Sequence, residues 1–415
     1  MAASGALRGE GQPPHAPLPT LCAGLKAQVL AYLARMLGGD EVAAEWALLC
    51  LVSHVVRRKG EGEAPLGMLS LAITGFPGAA PPPTASAPAA SAASAASAPP
   101  LSPPAPILPL PLGASPCLRR LHSALALLLP RTCLLPLRLE NMNALRLFPR
   151  KDFDSNRLAP GVLQLAPGTP IVVDESVLAE GQLGAPGVEN VRALQAMASL
   201  GVLSFDFGLG HMAEWECDHP VLVCASGARP LLRTSAVVAL APGAGAALAA
   251  EVAAAEGSSR PGHLPLPAHH LDVARARLYL ALVRSLPYSI SEGMARSVEA
   301  SLSSGRAAAA VWGSAGGAAA GGGGGGGGAG AGGAGGGSAP AAAPAPARRL
   351  TAEDMHLLME CARLQTLCAG EGELSEARWQ EALAMNAARV ARAPAGEPAS
   401  RAGVVETPTP TPGRG

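Results

Sequence analysis

The sequence predicts an α/β core, and three observations carry that prediction. Short apolar runs of strand length, "LGMLSLAIT" (66–74), "PIVVDE" (170–175), "VLSFDF" (202–207) and "VLVCAS" (221–226), alternate with longer stretches of helical spacing. Two of these runs end abruptly, one in Gly75, Phe76, Pro77 and Gly78 and the other in Asp174 and Glu175. Helical patterns bracket the strands at both ends of the chain.

Leu21, Leu25, Val29, Leu33 and Leu37 recur every four residues, and Gly38 and Gly39 stop the run. Asp40 then caps a second helix carrying Trp46, Leu49, Val52 and Val56, which makes an α-hairpin. The strand Leu66 to Thr74 runs into a glycine turn, the place where a phosphate loop would sit. Leu118 to Leu129 reads as an amphipathic helix and Leu134 to Leu139 as a short strand. "GVLQL" (161–165) and "PIVVDE" read as neighbouring strands, parted by Pro167, Gly168 and Thr169. Val188 to Leu200 has helical spacing, and "VLSFDF" and "VLVCAS" supply two more strands.

The remainder is helical. Leu271 to Leu286 places Val273, Leu278, Leu282 and Val283 on one face and leaves Arg275, Arg277 and Arg284 for solvent. Pro287 breaks this helix, and another begins near Ser291. "TAEDMHLLMECARLQTL" opens with a Thr351/Asp354 capping box, and "LSEARWQEALAMNAARVAR" with Ser375 as its cap.

Composition limits how much of the chain can fold. Of 415 residues, 50 are Gly and 40 are Pro, concentrated in an Ala/Pro/Ser tract and in a Gly/Ala tract that includes "GGGGGGGG". Neither tract can bury enough apolar surface to offset its ordering entropy, which leaves roughly 300 residues of foldable sequence. The expected layout is a disordered N-terminus (1–20), a helical hairpin with the first core strand (21–76), a disordered insertion (77–116) and an α/β core (117–240). A linker (241–268), a helical region (269–312), a second disordered insertion (313–347), a C-terminal helical lid (348–392) and a disordered tail (393–415) follow.

Lys plus Arg equals Asp plus Glu at 31 each, so no net field draws the chain to nucleic acid or to an anionic membrane. A protein surface is the natural partner. The eight cysteines include no C-x-x-C and no Cys/His zinc spacing, and are read as buried thiols. Pro130 stops the longest apolar stretch, near Leu125 to Leu129, far short of a bilayer span.

Asp174 and Glu175 follow an apolar strand as a magnesium ligand and a water-activating base do in many ATPases. Nucleotide hydrolysis also needs a glycine loop ending in Lys-Ser or Lys-Thr, because backbone amides alone do not neutralise the phosphates. "TGFPG" has the glycines, but no Lys follows before Lys151. The acidic pair is therefore read as structural, capping a strand end and the next turn. No catalytic residue, metal site or cofactor is expected. His211, Glu214, Cys217, Asp218 and His219 carry metal-capable side chains at a spacing that matches no zinc signature. His269 and His270 precede a helix and suit a cap. Cys217 with His219 is a local pair and lacks the separate elements that hold a nucleophile and its base.

The longest informative stretch is "LRLENMNALRLFPRKDFDSNRLAPGVLQLAPGTPIVVDESVLAEGQLGAPGVENVRALQAM", from Leu137. It resembles the mini-chromosome maintenance (MCM) complex-binding protein family in Glu140 to Asn143, Lys151 and Asp152, Asn156 to Leu158, Gly161 to Leu165, and Asp174 through Leu194. The resemblance extends upstream to "AAEWALLCLVSHVVRR" and downstream to "LYLALVRSLPYSIS" and the helices after the Gly/Ala tract. Family members usually carry a long half ahead of these helices, in place of which this sequence supplies about twenty residues.

The resemblance implies a nuclear, non-enzymatic partner of MCM helicase subunits, acting in MCM assembly and unloading from chromatin and in sister-chromatid cohesion. It also suggests, by fold analogy, a degenerate AAA+-like core with a helical C-terminal lid. The degenerate phosphate-loop position is then Gly75, Phe76, Pro77 and Gly78, and the Walker-B-like pair Asp174 and Glu175. Arg275, Arg277 and Arg363, expected on the surface of the lid, are the candidate partner contacts. Two alternatives stay open: a weak nucleotide-binding AAA+-like protein, and a general scaffold whose partner is not MCM.

Overall fold

The computed structural model describes residues 18–58, 60, 62–78, 113–258, 271–303 and 350–392. The expectations for most of both insertions, for the residues before Leu18, for the tail after Arg392 and for His269 and His270 lie outside the described residues.

The chain is an α/β protein organised on a five-stranded parallel sheet. Its strands are β1 (Leu71–Thr74), β2 (Cys133–Pro136), β5 (Ile171–Asp174), β8 (Val221–Ala225) and β9 (Ala236–Ala239), in the spatial order β2-β5-β8-β1-β9. Between them run α3 (Pro116–Leu128), α4 (Leu139–Ala144) and α5 (Ala185–Leu200), one in each of the first three connections, while β8 is joined to β9 without a helix. Two hairpins, β3 (Arg150–Asp152) with β4 (Arg157–Ala159) and β6 (Val202–Asp206) with β7 (Met212–Glu216), make a separate four-stranded sheet in the order β4-β3-β6-β7.

Both faces of the parallel sheet are buried, as parallel strands require. Leu71, Ile73, Val172, Leu222 and Cys224 point into one core, while Ala72, Ile171, Val173, Val221 and Val223 point into the other. The alternation follows the pleat. The larger core holds α1 (Leu18–Met36), α2 (Glu41–Val52), α3, α6 (Ala244–Ser258), α7 (Val273–Ser285), α8 (Glu292–Ser303), α9 (Ala352–Cys368) and α10 (Glu376–Val390). The smaller one lies under α5 and the 145–165 segment. The C-terminal helices expected as a lid bury Leu358, Cys361, Leu364 and Trp379 in the same core as Trp46 and Leu48 of α2. Burial holds the thiols protonated: Cys50 is pushed up to about 12, and Cys133 and Cys368 to about 11.

Several boundaries differ from the sequence reading, each for a local reason. "GVLQL" forms no strand, because Val162 and Leu163 donate their amides to the carbonyls of Arg146 and Leu147 in a loop that buries Leu163. The run 134–139 is divided, with β2 ending at Pro136 and α4 beginning at Leu139. The stretch expected as a linker contains α6, whose small residues pack against the α1–α2 turn. Strands β3, β4, β7 and β9 were not anticipated.

The caps hold as the sequence suggests. Thr351 and Asp354 form a reciprocal capping box, and the Ser375 hydroxyl accepts from the Arg378 amide. Asp40 does more than cap α2. Its carboxylate accepts from the amides of Ala43 and Ala241 and from Arg392, so one buried group ties the first helical hairpin, the end of β9 and the end of α10. Burial would raise its pKa, but Arg392 and the two amides outweigh it and hold the carboxyl below the usual aspartate range.

Asp40→Ala is therefore expected to cost on the order of 3 kcal/mol at neutral pH, by removing a cap and half of a buried ion pair. A depressed pKa stabilises the fold above the unfolded aspartate value of about 3.9, and that stability disappears as pH falls through the folded value. Urea unfolding of both proteins at pH 7 and pH 3 should show the difference shrinking in acid.

Candidate functional site

The carboxyl ends of parallel strands are where α/β sheets place ligands. Here that edge brings together the turn after β1, the end of β5 and the N-terminus of α3. Glycine is required next to the turn: a Cβ on Gly245, at the start of α6, would stand 2.5 Å from the Gly75 carbonyl oxygen. Phe76 is buried and its amide donates to the Ala225 carbonyl at 3.0 Å, so the turn is pinned across β8. Gly78 lies beside Ser226. The Ala/Pro/Ser insertion thus leaves the chain between β1 and α3, where a phosphate loop would have to be continuous.

The acidic pair is spent on the backbone. Asp174 is completely buried, and its Oδ2 accepts from the Ser115 amide at 2.7 Å. Its Oδ1 accepts from the Ser176 amide at 3.0 Å and from the Ser176 hydroxyl at 2.6 Å. Glu175 is also buried, and its two oxygens accept from the amides of Leu231 and Leu232 at 2.8 and 3.1 Å, fastening the β8–β9 connection. Burial pushes Glu175 upward, against those two amide bonds, and Asp174 beside it adds to the rise.

The start of α3 is filled in the same way. Ser115 is its N-cap and accepts from the Leu118 amide; Pro116, in the first turn, has no amide to offer. A nucleotide phosphate needs free amides and a cation here, and magnesium with its retained waters needs carboxylate oxygens that open onto the site, whereas Asp174 and Glu175 are both buried. These residues do not fit either group. Ser115 and Ser176 are the partners that the sequence reading missed, although Ser-Pro ahead of an apolar periodic run is a legible helix start.

The other candidates are scattered. His219 is buried against the Thr169 carbonyl at 3.1 Å, Asp218 accepts from the Val55 amide, and His211 and Glu214 are exposed. No metal-binding group of His, Cys, Asp and Glu occurs among the described residues. Arg275 is exposed and pairs with Asp272, and Arg277, also exposed, donates to the Leu127 carbonyl. Arg363 is not a surface residue. Only 6% exposed, it pairs with Glu360 and donates to the Gly67 carbonyl, while Glu360 accepts from the Gly67 amide, so the pair clamps the approach to β1.

Asp174→Ala should cost roughly 3 kcal/mol or more, because two buried amides lose their acceptor at about 1–3 kcal/mol each. Asp174→Asn keeps one acceptor oxygen and should cost about half as much. Equilibrium urea unfolding separates the two, and a loss below about 1 kcal/mol for the Ala variant would contradict the assignment.

Comparison with known proteins follows the same lines. Proteins named mini-chromosome maintenance complex-binding protein match at 28% identity over 377 residues in Danio rerio, 28% over 368 in Gallus gallus and 26% over 394 in Arabidopsis thaliana. These alignments cover 89%, 89% and 93% of this chain but only 45%, 45% and 50% of the relatives, so the chain spans about half the length of the curated relatives it matches. Among the described residues no helix is long and apolar enough to cross a membrane. The family model described as mini-chromosome maintenance replisome factor matches residues 10–313, and the chain belongs to that family.

Proposed function

We propose that this chain is a non-enzymatic binding partner of MCM helicase subunits whose core keeps an AAA+-like frame without its chemistry. The observation that carries the reading is the state of Asp174 and Glu175, whose four carboxylate oxygens all accept from backbone amides. An active ATPase would open this pair towards magnesium and water, whereas both side chains are buried. The strand that enters the glycine turn, β1, lies inside the sheet, with β8 between it and the acidic strand β5, and this supports the AAA+ comparison. The names of the relatives point to the partner. A nuclear location and roles in MCM assembly, in unloading from chromatin and in cohesion belong to the same proposal.

ATPase subunits associate side by side through their modules, so a protein with this frame can take a neighbour's place without supplying catalytic groups. Arg275 and Arg277 on α7 remain candidate contacts at such a boundary, while the buried Arg363 contributes through the fold alone.

Two measurements test this. Co-expression of residues 17–392 with individual MCM subunits, followed by size-exclusion chromatography at physiological salt, should give co-elution with at least one. Co-elution only of a longer relative run in parallel would move the binding determinant outside this chain. Separately, highly purified protein should show no steady ATP turnover, and turnover that vanished on Glu175→Gln would overturn the non-enzymatic reading.

A further inference from the structure

The hairpin sheet lies apart from the acidic strand ends and carries a free edge. In the order β4-β3-β6-β7, β7 is paired on one side only. Its ladder fixes which backbone groups are open. Phe207 donates its amide to the His211 carbonyl and Cys217 to the Gly201 carbonyl. Hydrogen-bonded and non-hydrogen-bonded pairs alternate in an antiparallel ladder, so Phe205 with Ala213 and Leu203 with Trp215 are hydrogen-bonded pairs. The N–H and C=O groups of Met212, Glu214 and Glu216 therefore point away from β6. All five residues of β7 are exposed, and the strand has none of the Lys or Pro residues that usually blunt an edge.

The two faces of this edge differ. On one, Trp215 packs beside Phe205, with ring centroids 5.4 Å apart, and lines a groove of about 560 Å³ that it shares with Leu163, Leu165 and the Arg58–Glu216 ion pair. On the other stands Glu214. Residues 202–220 contain four acids and no Lys or Arg. Asp206 pairs with Arg150 and Glu216 with Arg58, but Glu214 has no partner among the described residues. The edge is thus hydrogen-bond competent, apolar on one face and acidic on the other.

We propose that β7 takes up, by strand addition, an extended segment of a protein partner in which basic and apolar residues alternate. The incoming backbone would bond to Met212, Glu214 and Glu216, its apolar side chains would enter the Trp215 groove, and a basic one would face Glu214. The acidic face argues against nucleic acid as the occupant. This surface is separate from Arg275 and Arg277, so it stands whether or not the MCM reading does.

The test uses the full chain and a fluorescein-labelled heptapeptide alternating Arg and Val, with a Glu/Val heptapeptide as control. Fluorescence anisotropy should show saturable binding of the first and none of the second. Glu214→Pro removes one outward amide without touching the β6 ladder, and should weaken binding about tenfold; Glu214→Ala keeps the amide and should weaken it by only about threefold. Hydrogen exchange gives an independent readout: the amides of Met212, Glu214 and Glu216 in the unaltered protein should slow on adding peptide. Absence of saturable binding, equal binding of both peptides, or protection elsewhere without protection of β7 would overturn the proposal. A concentration-dependent dimer abolished by Glu214→Pro, with no peptide bound, would assign the edge to a second copy and overturn it too.

Discussion

A parallel sheet with both faces buried imposes the constraint from which most of this structure follows. Strands such as "IVVD" and "VLVCA" put apolar side chains alternately above and below, so each face must be covered by helices and the chain must cross over between strands. No single segment can supply that cover. The N-terminal hairpin, the helices after β9 and the two C-terminal helices all meet in one core, and Trp46 and Trp379, over three hundred residues apart in sequence, are both fully buried there. Covering the sheet makes distant parts of the chain interdependent.

The same burial explains the acids. At the ends of short strands the ladder stops and amides are left without partners, and a carboxylate placed there satisfies two at once. Asp40, Asp174 and Glu175 each do this, joining segments that lie far apart in sequence. With no lysine in the turn beside them, two adjacent buried carboxyl groups need polar partners from the chain, and four backbone amides supply them. The same amide bonds fasten the end of β5 to the start of α3 and to the β8–β9 connection.

Legibility in the sequence tracks how local each determinant is. The caps at Asp40, Thr351 and Ser375 were readable because a cap is encoded within four residues. The inner strands β1, β5 and β8 were readable because two-sided burial makes them nearly uniformly apolar, whereas the edge strand β9, only half buried, was not. "GVLQL" misled because its apolarity reflects packing of Leu163 in a loop, and periodicity does not separate the two. Strand β7 was hidden for the opposite reason: "MAEWE" covers no core, so it has no burial pattern to betray it. Arg363 looked like a helix-surface arginine, and only the tertiary fold shows Gly67 waiting for it. The roles of Ser115 and Ser176 depend on where Asp174 points, which no spacing records.

The hairpin sheet raises a question that fold stability does not answer. Leu209 stands 90% exposed at a φ of 56°, a conformation costing a leucine roughly 1 kcal/mol, between two glycines that are also left-handed. Phe153 from the neighbouring hairpin lies against Gly208, and Phe153 and Phe207 are both exposed there. Serine or asparagine would serve a solvated turn better, and a lysine would protect the β7 edge. An arrangement that spends stability and leaves apolar surface open is accounted for if that surface is covered in the working complex. The sheet with spent carboxylates then provides a rigid frame, and the hairpins provide what a partner reads.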